Sequence, residues 1–514
     1  MPAFLWIAPV PALGAALFAS WDLPLVLDWA PYHVTLLLDG PGAILLTTAS
    51  LLWIAAGAYA GSFFGDAAIG ASFTVCWLLT LIGSVGIFLV ADLPGFLVFY
   101  ALVSLPAWGL VVYDGTPSAR QAGAIYVGFA LLGEGLLLVG FVLLAMNSPA
   151  GSFRIAEAVA TFGTSSFRNV ILALLIVGFG MKVALVPLHF WMPLAYTATP
   201  IPAAAVLSGA AVKAGFIGLI RFLPFEIALP HWGAVLTAVG LCGAFYGVAI
   251  GITQTDPKTI LAYSSVSQMG FLVAVLGMGL AAGNGGVVLI AAFYAAHHVL
   301  VKGALFLSVG VARATDSAGL GIVLIPGFVI GLGLAGLPLT GGALAKLAVK
   351  DPLGYGMAGA LATLASSGTA LLMLHFLRRL TLTAAAVSSK RALTGLVVPW
   401  MAMALASVAV PWILYPAVGI GSLSEAIAPA MLWKALWPVL FGGLLAVGLR
   451  RWGHKLPHIP AGDIVIGGAA LTRVAAFCGA AMERVDALLR QWQIAVLSLV
   501  IVAILLAVAM MAGG

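Results

Sequence analysis

The sequence predicts an all-α polytopic membrane protein with about 14–15 transmembrane helices. Hydrophobic residues make up 63% of its 514 positions and charged residues only 7%. Mean hydropathy is +1.18, outside the range of soluble domains. Apolar runs of roughly 18–25 residues recur along the whole length, each long enough to cross a bilayer core of about 30 Å. Backbone in lipid must satisfy its hydrogen bonds within the segment, so these runs are read as helices.

Spans are expected near 2–20, 43–62, 71–91, 94–113, 121–146, 169–188, 202–223, 231–252, 258–281, 284–311, 320–345, 352–377, 394–416, 430–450 and 491–512. The first lacks a basic n-region and is expected to be retained rather than cleaved as a signal peptide. The loop after it carries Asp22, Asp28 and Asp39 with no Lys or Arg. Arg378, Arg379, Lys390 and Arg391 share one later loop, and Arg450, Arg451 and Lys455 follow two spans on. The positive-inside rule puts both basic clusters in the cytoplasm and the acidic loop outside. The stretch 453–490 mixes charged and apolar residues, at helical spacing from about 470, and reads as an amphipathic connector on the membrane surface. A docking surface for a partner subunit is the alternative for it.

The net charge of +6 reflects these loop residues and does not imply nucleic acid. Cys76, Cys242 and Cys478 are scattered without CxxC spacing, which supports neither an Fe–S cluster nor a zinc site. Nor is there a Walker motif, a dinucleotide fingerprint or a catalytic triad, so no cofactor is expected in this chain and no catalytic chemistry of its own. Any energy must come from an ion gradient or from another subunit.

Two segments carry helix-breaking signals at membrane depth. PLHFWMPLAYTATPIP, residues 187–202, holds four prolines including Pro200, with His189 near its start; GLPLTGGALAK, residues 336–346, holds Pro338 and two adjacent glycines. Interrupted helices in a transporter commonly mark ion sites, because freed backbone groups and helix ends face a polar cavity.

Lys182, Lys213, Lys302 and Lys346 lie inside otherwise apolar spans. A mid-membrane ammonium costs roughly 2.5–3.5 kcal/mol on insertion scales, so such residues are rare and usually functional. No arginine sits mid-span. Arginine cannot release its proton whereas a desolvated lysine can, so lysines without arginines point to proton transfer. Glu134 is the only carboxylate near the middle of a span, and pairing with Lys182 would lower the cost of both charges; a protonated acid bonded to a carbonyl is the alternative. His298 and Lys302 stand four residues apart, on one helix face about 6 Å from each other. Histidine titrates near neutrality, so the two form a relay step, while His297 points about 100° away and reads as structural. Ser264, Ser265 and Gln268 give one helix a polar stretch that would hold ordered water or glue helices together. Asp256 and Lys258 are expected to cap that helix, and Arg221 to mark a membrane interface.

GFGMKVALVPLHFWMPLAYTATPIPAAAVLSGAAVKAGFIGLIRF, QTDPKTILAYSSVSQMG and HHVLVKGALFLSVG resemble the antiporter-like subunits of respiratory complex I, Mrp-type cation/proton antiporters and membrane-bound hydrogenases, over roughly residues 90–380. The resemblance implies two inverted five-helix repeats, each with a broken helix, around a hydrophilic axis. In it Lys182 corresponds to a lysine paired with a glutamate, Lys213 to the central lysine, His298 and Lys302 to the bridging pair, and Lys346 to the terminal residue. The family's glutamate lies in a helix resembling DLPGFLVFYALVSLPAWGLVV; here Glu134 falls one helix later. Leu194, Tyr196 and Leu347 replace polar residues of the family pattern, and one early span is missing between residues 20 and 40. The domain plan is therefore N-terminal transmembrane helices at 1–90, an antiporter-like core at 91–390, C-terminal transmembrane helices at 391–452, the connector at 453–490 and a final helix at 491–514.

The expected function is proton translocation by a divergent member of this family. It would be one membrane subunit of a larger redox-driven or cation/proton antiport complex in a bacterial cytoplasmic membrane, carrying protons, with Na+ as a second candidate cargo. A subunit that consumes the gradient for inorganic-carbon uptake and a structural subunit that has lost conduction are the alternatives.

Overall fold

The computed structural model describes residues 2–462, apart from 22, 30–31, 66–68, 149–151, 316–318, 355, 385–392 and 458. The connector beyond residue 462 and the final helix expected at 491–512 lie outside the described residues. The rest is helical: α1 (Pro2–Ile7), α2 (Val10–Phe18), α3 (Gly40–Phe64), α4 (Ala71–Leu89), α5 (Leu93–Val111), α6 (Pro117–Asn147), α7 (Ile155–Ala160), α8 (Arg168–Lys182), α9 (Trp191–Ala198), α10 (Ile201–Val206) and α11 (Lys213–Phe222). They are followed by α12 (Pro230–Gly251), α13 (Pro257–Ala282), α14 (Val287–Ala314), α15 (Leu320–Ala335), α16 (Gly341–Ala348), α17 (Lys350–Leu353), α18 (Met357–Ala384), α19 (Leu393–Ala417), α20 (Leu423–Ala426) and α21 (Pro429–Trp452). Among the described residues eleven helices are long and apolar enough to cross a membrane, counting 201–222 as one.

Several boundaries are written locally as an oxygen-bearing cap followed by proline. Asp39 accepts from Gly42 N at 2.7 Å, Asp92 from Gly95 N at 2.7 Å, Thr116 from Ala119 N at 3.1 Å, and Asp256 from Lys258 N at 2.8 Å. In each case proline follows within two residues, where its missing N–H is no loss. Asp256 thus caps α13 as expected. The stretch expected as a first span at 2–20 is instead two short helices, parted before Pro9. Proline there has no N–H for the helical ladder and its ring clashes with the preceding turn.

Where the sequence lacks an early span, the chain forms a β-hairpin. Strands β1 (Leu25–Trp29) and β2 (Tyr32–Leu36) pair antiparallel, from Leu25 opposite Leu36 to Trp29 opposite Tyr32. β2 continues onto the α4–α5 connection, with a bridge between Leu36 and Val90 and a hydrogen bond from Thr35 N to Asp92 at 2.6 Å. Next to it, Arg221 at the end of α11 holds three elements. It donates to both oxygens of Asp39 at 3.1 and 3.0 Å, and to the carbonyls of Ile87, Phe88 and Val90 at 3.1, 2.7 and 2.8 Å. Those carbonyls belong to the C-terminal end of α4, where helix oxygens have no partner of their own. The approach requires Gly42, since a Cβ there would stand 2.4 Å from Phe88 O.

The centre of the bundle is α10–α11, α13 and α14, which are almost wholly buried. α6 and α21 are peripheral and leave Leu132, Val139, Leu444 and Val447 about half exposed or more, as helices facing lipid or other subunits do. Both expected breaks are present. The first separates α8 from α9, with Ala184 at φ 57°; the second separates α15 from α16, with Gly336 at φ 101° and Leu339 at φ 62°. α10 and α11 are joined by one π-helical turn, Leu207–Ala211, the kind of irregularity often found at functional positions.

Candidate functional site

Lys182 is the last residue of α8 and is buried. Its ammonium donates to Ser104 Oγ of α5 at 2.9 Å and to Tyr126 OH of α6 at 3.2 Å. It also lies over the rings of Tyr126 and Tyr100, 5.5 and 5.9 Å from their centroids. Tyr126 OH donates in turn to Ser104 O at 3.0 Å. Glu134 stands two turns along α6, half-buried. It lies within electrostatic reach of Lys182. No direct ion pair joins Glu134 to Lys182 among the described residues, and Glu134 Oε1 is buried there without a partner. Ser104 and Tyr126 are therefore the groups that sequence reasoning missed; the one signal for Ser104 is a single serine in a largely apolar helix.

Lys213 begins α11 directly after the π-turn and is fully buried. Its Nζ lies 2.9 Å from Nδ1 of His298 and 4.0 Å from Met269 Sδ. His298 and Lys302 occupy successive turns of α14, as their spacing predicts, and His298 is within electrostatic reach of both lysines. Lys302 donates to the carbonyl of Leu261 in α13 at 2.8 Å. Lys213, His298 and Lys302 thus form one contiguous buried group, brought together from two helices 85 residues apart in the closest contact.

Lys346 sits on α16, bonded to Ser366 Oγ of α18 and 5.9 Å from the centroid of the Phe271 ring. His297 faces this side: its ring lies against the glycines that open α16, with a Cβ on Gly342 falling 3.0 Å from His297 Cε1, and it is within electrostatic reach of Lys346. The turn of about 100° between His297 and His298 hence directs neighbouring histidines to different lysines.

The polar stretch of α13 connects these groups. Ser265 bonds Ser208 in the π-turn at 3.0 Å. Gln268 accepts from Tyr294 OH at 2.8 Å and donates to Thr369 Oγ1 at 3.1 Å. Ser264 Oγ and His298 Nε2 are buried without a partner among the described residues. His189, in the first break, packs edge-on against Tyr246 with centroids 4.8 Å apart. Pro200 sits between α9 and α10, and Pro338 lies in the second break between α15 and α16. Lys258 does more than flank a cap, because its ammonium reaches the Thr199 carbonyl at the end of α9, 2.7 Å away.

A polytopic helical bundle with two interrupted helices and a buried row of amines and imidazoles is a membrane protein of the antiporter-like class. Residues 90–374 match the family model described as NADH:quinone oxidoreductase/Mrp antiporter, TM, and the chain belongs to that family. It is 29% identical over 290 residues to hydrogenase-4 component B of Escherichia coli, covering 54% of this chain and 43% of that one. It is 28% identical over 342 residues to a Na(+)/H(+) antiporter subunit of Alkalihalophilus pseudofirmus, covering 63% and 68%. The fold is similar to a chain in the structure of the Mrp complex from Dietzia sp., with a TM-score of 0.78 at 24% identity, covering 99% of this chain and 60% of that chain. The chain thus spans less than half of the hydrogenase relative and about two thirds of the antiporter relative.

Proposed function

We propose that this protein moves protons across the membrane along Glu134, Lys182, Lys213, His298, Lys302 and Lys346, as one subunit of a larger redox-driven or cation/proton antiport complex. The observation that carries the reading is the 2.9 Å contact between Lys213 Nζ and His298 Nδ1, fully buried, with Lys302 one turn further along α14. Two bases in hydrogen-bond contact exchange a proton without either leaving its site, and a third amine nearby penalises holding two charges at once. Charge arriving at one member therefore favours release from another.

Water would complete the route. Buried polar atoms in folded proteins nearly always have partners. The lone Glu134 Oε1, Ser264 Oγ and His298 Nε2 mark positions where ordered water would bond and bridge the titratable groups. His297 is suited to hand protons between the central group and Lys346, since it adjoins His298 in sequence and Lys346 in space. Glu134 takes the part of the family's glutamate from an adjacent helix, acting on Lys182 by its charge. Na+ as a second cargo follows only from the antiporter relative's name. The basic ends of α18 and α21 would face the cytoplasm of a bacterial cell.

The test is Lys213→Ala in the complete complex, reconstituted in liposomes with an internal pH dye. Proton flux should fall at least about tenfold while subunit composition on a native gel stays unchanged. Full flux in that variant would sink the reading.

A further inference from the structure

Lys258, in the first turn of α13, is a buried amine outside the row from Lys182 to Lys346. Its Nζ donates to Thr199 O at 2.7 Å, at the C-terminal end of α9, where helix carbonyls lack partners of their own. A second bond joins the same two helices, Thr197 Oγ1 to Thr259 Oγ1 at 2.8 Å. Just outside, Asp256 caps α13 and pairs with Arg313 of α14 at 3.6 Å, their side chains 38% and 42% exposed. Asp256, Arg313 and Asp114 are the charged groups within electrostatic reach of Lys258. This end of the bundle also carries Arg378 and Arg379, since Nε2 of His375 in α18 lies 2.8 Å from Gln254 O, just before α13.

Lys258 extends two helix faces that the central group already uses. On α13, Lys258, Leu261, Ser265 and Met269 recur at helical spacing and share one face. Leu261 O holds Lys302, Ser265 bonds the π-turn, and Met269 Sδ lies 4.0 Å from Lys213 Nζ. On α14, His298, Lys302 and Arg313 likewise share one face, with Arg313 about three turns beyond Lys302. The seam of α13 and α14 therefore runs from the Asp256–Arg313 pair, past Lys258, to Lys302.

We propose that Lys258 is the outermost proton-carrying amine of the protein, passing protons between the Asp256–Arg313 surface and Lys302 along this seam. The inference rests on the proton route proposed above and gives it an opening at the basic end of the bundle. A strut for α9 needs only a hydrogen-bond donor, which arginine supplies as well as lysine. A carrier must also let its proton go, which lysine can do and arginine cannot. In each passage the Lys258 ammonium gives one proton inward through ordered water. It becomes a neutral amine and is refilled by a proton from water beside Asp256.

Three substitutions in the complete complex, reconstituted in liposomes with an internal pH dye at neutral pH, separate carrier from strut. Lys258→Arg and Lys258→Gln keep a donor for Thr199 O but carry no exchangeable charge. Lys258→His keeps a donor that titrates near neutrality. The Arg and Gln variants should each lose about tenfold or more in proton flux. The His variant should keep several-fold more flux than either, and all three should show unchanged subunit composition on a native gel. Flux retained in Lys258→Arg or Lys258→Gln, or lost equally in all three, would overturn the inference and leave Lys258 a strut. Lys213→Ala measured beside them keeps the two readings apart. Loss there without loss in Lys258→Gln refutes this inference alone, whereas full flux there refutes the route itself.

Discussion

The two interrupted helices hold lysines in opposite surroundings. At the first break the lysine ends the helix before the gap: Lys182 is enclosed by Ser104, Tyr126 and Tyr100, beside a space of only about 10 Å³. At the second the lysine follows the gap: Lys346 has one hydroxyl partner and opens onto a cavity of about 330 Å³. Similar breaks, each turning through a non-glycine residue of positive φ, thus give one sealed amine and one accessible amine. The difference lies in what the neighbouring helices bring: α5 and α6 supply hydroxyls and rings to Lys182, whereas α18 gives Lys346 a single hydroxyl, Ser366, and α21 lines the cavity beside it.

The largest effect that would break this comparison comes from removing the two amines. Lys182→Ala and Lys346→Ala should each lower proton flux by about tenfold or more. Ethylamine added outside should restore part of the flux to Lys346→Ala, because the cavity admits it, and none to Lys182→Ala. Equal rescue of both would contradict the contrast between a sealed and an open site.

An intermediate effect separates their hydroxyl partners. Ser104→Ala leaves a buried ammonium short of one acceptor and should destabilise the protein by about 1–3 kcal/mol. Ser366→Ala should cost well under half of that, since water in the cavity can replace the hydroxyl. Unfolding midpoints in a detergent titration give the order directly; Ser366→Ala costing as much as Ser104→Ala would show that the second site is equally closed.

The smallest effect concerns the backbone. Ala184 and Leu339 hold φ values of 57° and 62°, where a Cβ is disfavoured by roughly 1–2 kcal/mol. Ala184→Gly and Leu339→Gly should each change stability by at most about 1 kcal/mol, with relief of strain offset by the entropy of the added glycine. A larger loss in Leu339→Gly alone would mean that its side chain supports the cavity wall.

Much of this is legible without coordinates. The breaks are written as prolines and paired glycines at 187–202 and 336–346, and the shared helix face of His298 and Lys302 as a His and a Lys four apart. Other features have no local signature. The hairpin at 25–36 occupies a stretch that reads only as a missing span, because ten residues of strand carry too weak a periodicity to be distinguished from loop. Arg221 reads as an interface marker, yet its fivefold hold on Asp39 and the end of α4 depends on carbonyls more than 130 positions away. Glu134 and Lys182 read as a direct pair; the Ser104 hydroxyl that Lys182 bonds instead comes from a third helix and is not foreseeable from either.

The sequence alone determined the class of this protein, most of its helix boundaries and the placing of its lysines within apolar helices. Hydrophobic run length, proline and capping residues act within a few positions, and the energetic penalty of a charge in lipid depends on the residue itself. The tertiary structure alone decided which amine touches which partner. Lys213 meets His298, His297 faces Lys346, and Ser104 meets Lys182, because such contacts depend on how separate helices pack and not on spacing along any one of them.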